Sequence, residues 1–167
     1  HAQGIAEARG GLSRVAMSRG DAAGMREHSR VALEAAQASN YETGIAIALH
    51  HLAHASLIDG NLAEAERLYA ANVETYRSMQ RLDLVASELH NLGHVACLRG
   101  APDRAQNLFV ESLLLADQIG ASAIRPYDLI GLGRVAAARA QPASAATLLE
   151  AGMALLRPGG KAVVPRV

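Results

Sequence analysis

The chain repeats itself every 40 residues, and this period limits the possible folds more than any other feature of the sequence. Leucine recurs in one register, at Leu12, Leu52, Leu92 and Leu132. A second register holds glycine three times and then alanine, at Gly20, Gly60, Gly100 and Ala140. Four copies fit the chain, at residues 1–40, 41–80, 81–120 and 121–160. A tandem array of four similar units is therefore the expected architecture.

Each copy has the pattern of two helices. Apolar residues recur at three- and four-residue spacing in two stretches, separated by a glycine near the midpoint. In the second copy the stretches run from about Glu42 to Ile58 and from about Leu62 to Ser78, and Asn61 with Glu64 resembles a capping box. Because one hairpin cannot bury both of its faces, the copies must stack on one another. The sequence predicts an all-α domain over residues 1–157, with about eight helices, and a tail or linker at 158–167.

Composition excludes several other classes. The chain has 35 alanines and five aromatic residues, which is typical of closely packed helices and not of a β-sandwich. Sixteen basic residues balance sixteen acidic ones, so a nucleic-acid-binding role is disfavoured. No apolar run reaches the roughly 18 residues of a membrane span. The single cysteine, Cys97, excludes an internal disulfide and suits the cytoplasm. Since His1 is neither an initiator methionine nor part of a signal peptide, we expect a piece of a longer protein.

The repeated residues resemble the tetratricopeptide repeat, whose usual period is about 34 residues. The resemblance rests on Leu52-Ala53 with Gly60 and Ala65, and on the same pattern one period later at Leu92-Gly93, Gly100 and Ala105. It covers nearly the whole chain. The sequence departs from the family in its longer period and in the absence of the family's terminal proline. The resemblance implies a right-handed superhelical solenoid of four antiparallel helix hairpins, with the first helix of each hairpin on the concave side.

The resemblance also implies a setting for the chain. Forty-residue variants similar to this one occur in large bacterial transcriptional activators that carry a nucleotide-driven switch domain, and in animal polarity scaffolds. The Ala- and Arg-rich composition favours the bacterial setting. We therefore expect a scaffold or sensor module of a bacterial transcriptional regulator, which needs no cofactor.

By the same resemblance, positions on either side of each leucine face a groove that binds a protein or peptide. Two residues after the leucines stand four hydrogen-bond donors, Arg14, His54, His94 and Arg134. His50 and His90 stand two residues before, and Ser87, Asn91 and Tyr127 complete the candidate groove. Arginine pairs bidentately with carboxylates, and histidine gains charge below about pH 6.5, so acidic ligands are expected. The family's clamp for a terminal carboxylate is not expected, because Ile47, Ser87 and Tyr127 replace its basic residues.

Other interpretations of these residues stay open. The histidines could be solvated groove residues, with the partner bound on the convex side or at an end. The pairs His50/His54 and His90/His94 could instead present imidazoles to Zn²⁺ or Ni²⁺. The apolar last helix, about Ala143 to Arg157, could form a homodimer or contact a further repeat.

An enzyme is not expected. The stretch from Gly131 to Ala136 matches a loose dinucleotide fingerprint, but it lies in the helical register and no strand precedes it. Cys97 lies among small residues of a helix, where an inert thiol is expected.

Overall fold

The computed structural model describes residues 1–157, and these residues contain eight helices and no strand. The helices are α1 Ala2–Ser18, α2 Ala22–Ala38, α3 Glu42–Ile58, α4 Leu62–Ser78, α5 Leu82–Leu98, α6 Pro102–Ile119, α7 Arg125–Ala138 and α8 Pro142–Leu156. The chain divides into two compact units, His1–Thr75 and Tyr76–Val167. The predicted all-α class and its consecutive helix hairpins are confirmed. The predicted tail at 158–167 lies outside the described residues.

Every helix from α1 to α7 ends in the same turn. A residue with positive φ recurs every 20 residues, at Gly20, Asn40, Gly60, Gln80, Gly100, Gly120 and Ala140. The next N–H donates to the carbonyl five residues back, as from Tyr41 to Ala36 at 2.8 Å and from Gln141 to Ala136 at 3.0 Å. This is the Schellman motif, which satisfies carbonyls left free at a helix end. The shortest repeating element is therefore one helix with its turn, 20 residues long, and two such elements make the 40-residue hairpin.

Helix starts use the signals expected from the sequence. The Asn61 side chain accepts a hydrogen bond from the backbone N–H of Glu64 at 3.3 Å, which caps α4. The second hydrogen bond of a capping box, from the Asn61 backbone N–H to the Glu64 side chain, is not formed. The Glu64 carboxylate instead pairs with Arg67 at 2.7 Å. Pro102 and Pro142 occupy the first turns of α6 and α8, where a missing N–H costs nothing.

Within the hairpins, a small residue on the first helix lies against a larger one on the second. Gly93 on α5 faces Phe109 on α6, and a Cβ added at Gly93 would lie 2.6 Å from the ring atom Cε1 of Phe109. Gly133 on α7 faces Leu149 on α8, where an added Cβ would lie 2.7 Å from the leucine Cγ. The paired helices therefore approach closely, and this approach depends on the missing side chains.

The core of the second unit forms around Phe109. This ring is fully buried and packs in one cluster with Leu113, Leu129, Leu132 and Val135. Because the cluster draws residues from α6 and α7, it joins one hairpin to the next. No helix among residues 1–157 is both long enough and apolar enough to cross a bilayer.

Candidate functional site

Four side chains of the second unit form a hydrogen-bonded row from the surface into the interior, which we call the Arg–His–His–Asp chain. Arg134 Nη1 lies 3.2 Å from His94 Nδ1, and His94 Nε2 lies 3.0 Å from His90 Nε2. His90 Nδ1 in turn lies 2.8 Å from Asp128 Oδ1. His90 and His94 come from α5 and the two charged residues from α7. Arg134 is exposed and Asp128 is fully buried, so the row runs from a guanidinium at the surface to a carboxyl group in the interior.

The chemistry of arginine fixes the direction of these hydrogen bonds. A guanidinium can only donate, so His94 Nδ1 must accept from Arg134. The hydrogen of a neutral His94 then sits on Nε2 and is donated to His90 Nε2. His90 therefore carries its own hydrogen on Nδ1 and donates it to Asp128. All three bonds point inward, and both histidines are neutral in this arrangement.

The inner end of the row is closed by a hydroxyl group. Ser112 Oγ lies 2.7 Å from Asp128 Oδ2 and 2.8 Å from the carbonyl oxygen of Ala86. One hydroxyl hydrogen cannot serve both acceptors in full. A proton on Asp128 would satisfy both contacts, with the acid donating to Ser112 and Ser112 donating to Ala86. Burial raises the pKa of Asp128, which favours the same protonated form.

Apolar surroundings keep the imidazole of His94 neutral. The Phe109 ring packs against His90 and His94, with ring centroids 5.5 and 5.4 Å apart. Burial lowers the pKa of His94 to about 4, and the neighbouring His90 and Arg134 act in the same direction. His94 therefore becomes protonated only near pH 4, whereas a solvated groove histidine has a pKa of about 6.5.

The other predicted groove residues of the second unit have separate surroundings. Tyr127 is about half exposed, and its ring centroid lies 6.2 Å from that of His90. Asn91 Nδ2 donates to Glu88 Oε2 at 3.4 Å. The Ser87 hydroxyl donates to a backbone carbonyl of its own helix, that of Asp83, at 3.2 Å. Of this set, Tyr127 is the most exposed to solvent.

His90 does not lie on the surface of the groove, where the sequence analysis expected it. It is buried, and both of its ring nitrogens have partners in Asp128 and His94. The reason is Asp128, which the sequence analysis missed. A buried carboxyl group draws a hydrogen-bond donor inward, and α7 supplies this carboxyl group 38 residues after His90.

In the first unit His50 and His54 lie beside Tyr69 of α4. The Tyr69 hydroxyl lies 3.4 Å from His54 Nδ1, and the ring centroids of His50 and Tyr69 are 5.9 Å apart. Burial lowers the pKa of His54, and His50 adds to the effect. Arg14 is exposed on α1. His50 and His54 therefore pack beside an aromatic ring, whereas His90 bonds to a buried carboxyl group.

His51 is a second residue that the sequence analysis missed. It is buried, and its Nδ1 has no hydrogen-bond partner. Burial lowers its pKa to about 4, with further contributions from His50, His54 and Arg14. The residue lies one period before Asn91, a candidate groove residue, but outside the registers two residues before and two residues after the leucines, from which the histidines and arginines were chosen.

Metal binding by these histidines finds little support in their geometry. Among residues 1–157, no group of three or more His, Cys, Asp or Glu side chains is arranged to hold a metal ion. Cys97 lies one turn after His94, and burial raises the pKa of its thiol, which disfavours the thiolate that a metal would need.

In its fold the chain is similar to the crystal structure of BtubC (BKLC) from P. vanneervenii. The TM-score is 0.77 at 20% sequence identity, and the match covers 97% of this chain and 67% of that one. No family model matches the sequence, and no curated protein matches it either. At this identity the likeness concerns the helical fold.

Proposed function

We propose that the chain is a non-catalytic module of the tetratricopeptide type that binds a protein or peptide, as part of a larger cytoplasmic regulator in a bacterium. The leucine and glycine registers support the family assignment. The binding role is supported by one observation above all, the exposed guanidinium of Arg134 held in place by the Arg–His–His–Asp chain.

A guanidinium held in this way is prepared for a carboxylate. Arg134 uses one N–H to reach His94, and its other N–H groups donate to no side chain among residues 1–157. Because His94 is itself held by His90, less side-chain freedom is lost when a ligand binds. The remaining N–H groups can form the paired hydrogen bonds that arginine makes with carboxylates. The expected ligand is an acidic segment of a protein or peptide.

Tyr127 gives the same face an apolar contact. It lies two helical turns before Arg134 on α7, and residues seven apart share one side of a helix. A ligand segment with an apolar side chain near an acidic one suits this pair. We also propose Arg14, His50 and His54 as a separate polar surface of the first unit, and Ser87 and Asn91 as neighbouring contacts in the second.

The pH dependence expected from free histidines does not apply to His94. Its pKa of about 4 leaves it neutral at pH 5.5, so ligand binding by Arg134 should not strengthen between pH 7.5 and 5.5 through this residue. A neutral His94 is also the form that accepts the hydrogen bond from Arg134.

The test is fluorescence anisotropy with a labelled glutamate-rich peptide carrying one tyrosine, and a lysine-rich peptide of equal length for comparison. R134A should weaken binding of the acidic peptide at least tenfold, which corresponds to about 1.4 kcal/mol. The matched control is R30A, because Arg30 is exposed on α2 and its loss changes the net charge by the same amount. Equal losses in R134A and R30A would show that net charge alone attracts the peptide and would reject the proposal.

A second candidate function is self-association through α8. Met153 and Leu156 are about half exposed on this helix, and Glu150 is its only charged residue. An exposed apolar face of this kind favours an interface. Sedimentation velocity over a range of concentrations would detect the association.

A further inference from the structure

The hydroxyl group of Ser112 lies between two acceptors, and the repeat indicates which of them receives its hydrogen. It lies 2.8 Å from the carbonyl oxygen of Ala86 and 2.7 Å from Asp128 Oδ2. One period earlier, Asn72 Nδ2 donates to the carbonyl oxygen of Ala46 at 2.9 Å. An amide nitrogen and a carbonyl oxygen can bond in only one direction. In the same register, Ser112 therefore donates to Ala86 and accepts from Asp128.

This buried end determines where each hydrogen of the Arg–His–His–Asp chain lies. An Asp128 that donates to Ser112 through Oδ2 keeps Oδ1 as an acceptor, so His90 donates from Nδ1. His90 Nε2 is then an acceptor, and His94 carries its own hydrogen on Nε2. His94 Nδ1 is left as the acceptor that Arg134 needs.

The opposite direction of the same hydrogen bonds would release Arg134. Ser112 would donate to Asp128, and the acid would donate through Oδ1 to His90. Each imidazole would then carry its hydrogen on the nitrogen nearer the surface. An N–H of His94 would face an N–H of Arg134, and neither group could accept.

Burial decides between the two directions. Ser112 and Asp128 are both 0% exposed, so solvent cannot replace a hydrogen bond that the Ala86 carbonyl loses there. Arg134 is exposed, and its N–H groups can bond to water when they leave His94. A hydrogen bond lost in the interior costs more than one that water replaces at the surface. The buried end therefore sets the direction, and the surface end follows it.

We propose that Asp128 is a positioning residue for Arg134, which it controls through the two histidines. It determines which nitrogen of His94 accepts a hydrogen bond, and thereby whether the guanidinium is held. Because Asp128 is fully buried, it touches no ligand itself. The inference rests on the proposed function for its effect on ligand binding, but not for its effect on the hydrogen of His94.

Three substitutions separate this role from a purely structural one. D128N is the conservative variant, because an amide can donate to Ser112 and accept from His90. D128A removes both contacts, so His90 can carry its hydrogen on either nitrogen and His94 follows it. L113A is the control for lost stability, because Leu113 is a buried core residue outside the Arg–His–His–Asp chain. Circular dichroism confirms that each variant is folded at the temperature of the assays.

The first measurement is the position of the imidazole hydrogens, by heteronuclear NMR of the ring nitrogens in the full chain at neutral pH. The parent, D128N and L113A should show His94 with its hydrogen on Nε2. In D128A the two forms of His94 should mix. A His94 hydrogen on Nδ1 in the parent would overturn the inference, as would a D128A variant in which His94 is unchanged.

The second measurement is the affinity for the labelled glutamate-rich peptide. D128A should weaken binding by about fivefold, whereas D128N and L113A should stay within about twofold of the parent. Equal losses in D128A and L113A would show that stability controls the affinity and would overturn the positioning role. Tighter binding by D128A would also overturn it, because Asp128 would then act only as a negative charge.

H90F keeps the inference testable if D128A does not fold. Phenylalanine interrupts the path from Asp128 to His94, so H90F should give the same mixture of His94 forms and the same loss of affinity. A peptide that R134A binds as tightly as the parent would reject the proposed function, and the NMR result would then decide the inference alone.

Discussion

The ring of Phe109 is held between two glycines, and this arrangement gives a sharp test of the packing. A Cβ added at Gly93 would lie 2.6 Å from Phe109 Cε1, and one added at Gly131 would lie 2.6 Å from Phe109 Cζ. Both distances are far below van der Waals contact. Both added methyl groups would press on the same two ring atoms, Cε1 and Cζ, so the two substitutions compete for the space of one buried ring.

The expected effect combines two opposing terms. Replacing glycine by alanine inside a helix stabilises the protein by about 1 kcal/mol. Overpacking a buried site costs about 1–3 kcal/mol. We therefore expect G93A to lower the free energy of unfolding by about 1 kcal/mol, and G131A to do the same. In the double variant the loss should differ from the sum of the two single losses by about 0.5–3 kcal/mol, because both methyl groups displace the same ring.

The assay is urea unfolding followed by circular dichroism at helical wavelengths, and the matched control is G11A. Gly11 lies inside α1, and an added Cβ there would meet nothing within 4 Å. The same chemical change should thus stabilise the first unit by about 1 kcal/mol. The variant F109L in the double-alanine background should recover part of the loss. The reasoning fails if G93A is as stable as G11A, or if the two alanine substitutions are simply additive.

Three further predictions concern the Arg–His–His–Asp chain and the helix turns. The pKa of His94 is about 4 in the folded protein and about 6.5 in the unfolded chain. The stability that the neutral His94 contributes is therefore fully present above pH 6.5 and is lost as pH falls towards 4. H94Q should reduce the pH dependence of the free energy of unfolding by about 1 kcal/mol, a value that allows for the partial exposure of His94. Urea unfolding between pH 6.5 and pH 4 measures it. D128N should stay within about 1 kcal/mol of the parent because an amide can donate to Ser112 and accept from His90, whereas D128A should lose about 2–5 kcal/mol in the same assay. A140G should raise the free energy of unfolding by about 0.5–1 kcal/mol, since Ala140 has a φ of 56°, and G100A should lower it by a similar amount.

The helices could be predicted from the sequence because their signals are local. The stretches Glu42–Ile58 and Leu62–Ser78 have the bounds that hydrophobic periodicity, Gly60 and Asn61 indicate. Each signal acts within one or two turns of the residue that carries it. The register of the turns is equally local, since the residue after each positive-φ position repeats the same backbone hydrogen bond.

Ala140 shows where a local signal and the fold disagree. Alanine interrupts the glycine register, so the sequence predicts the turn of the last copy less clearly than the turns of the other copies. The chain nevertheless keeps the turn, with the Gln141 N–H donating to Ala136 at 3.0 Å. Packing of the α7–α8 hairpin through Gly133 and Leu149 holds the backbone in a conformation that alanine disfavours.

The Arg–His–His–Asp chain could be predicted only in part. Comparison at 40 residues groups His94 with Arg134, and the two are in hydrogen-bond contact. The same comparison misses Asp128, because this residue lies 38 residues after His90 and so outside the shared register. A contact between neighbouring hairpins depends on the rotation of one helix against another, which a residue-by-residue alignment of the copies does not contain.

Equal positions in the repeat therefore do not have equal chemistry. In the second unit the arginine belongs to the later helix and donates back to His94. In the first unit the arginine, Arg14, belongs to the earlier helix, and His54 lies instead beside the Tyr69 hydroxyl. A carboxylate behind His90 orders the first arrangement, whereas an aromatic ring organises the second. Since only the first arrangement fixes a guanidinium at the surface, Arg134 and not Arg14 should dominate the recognition of an acidic ligand.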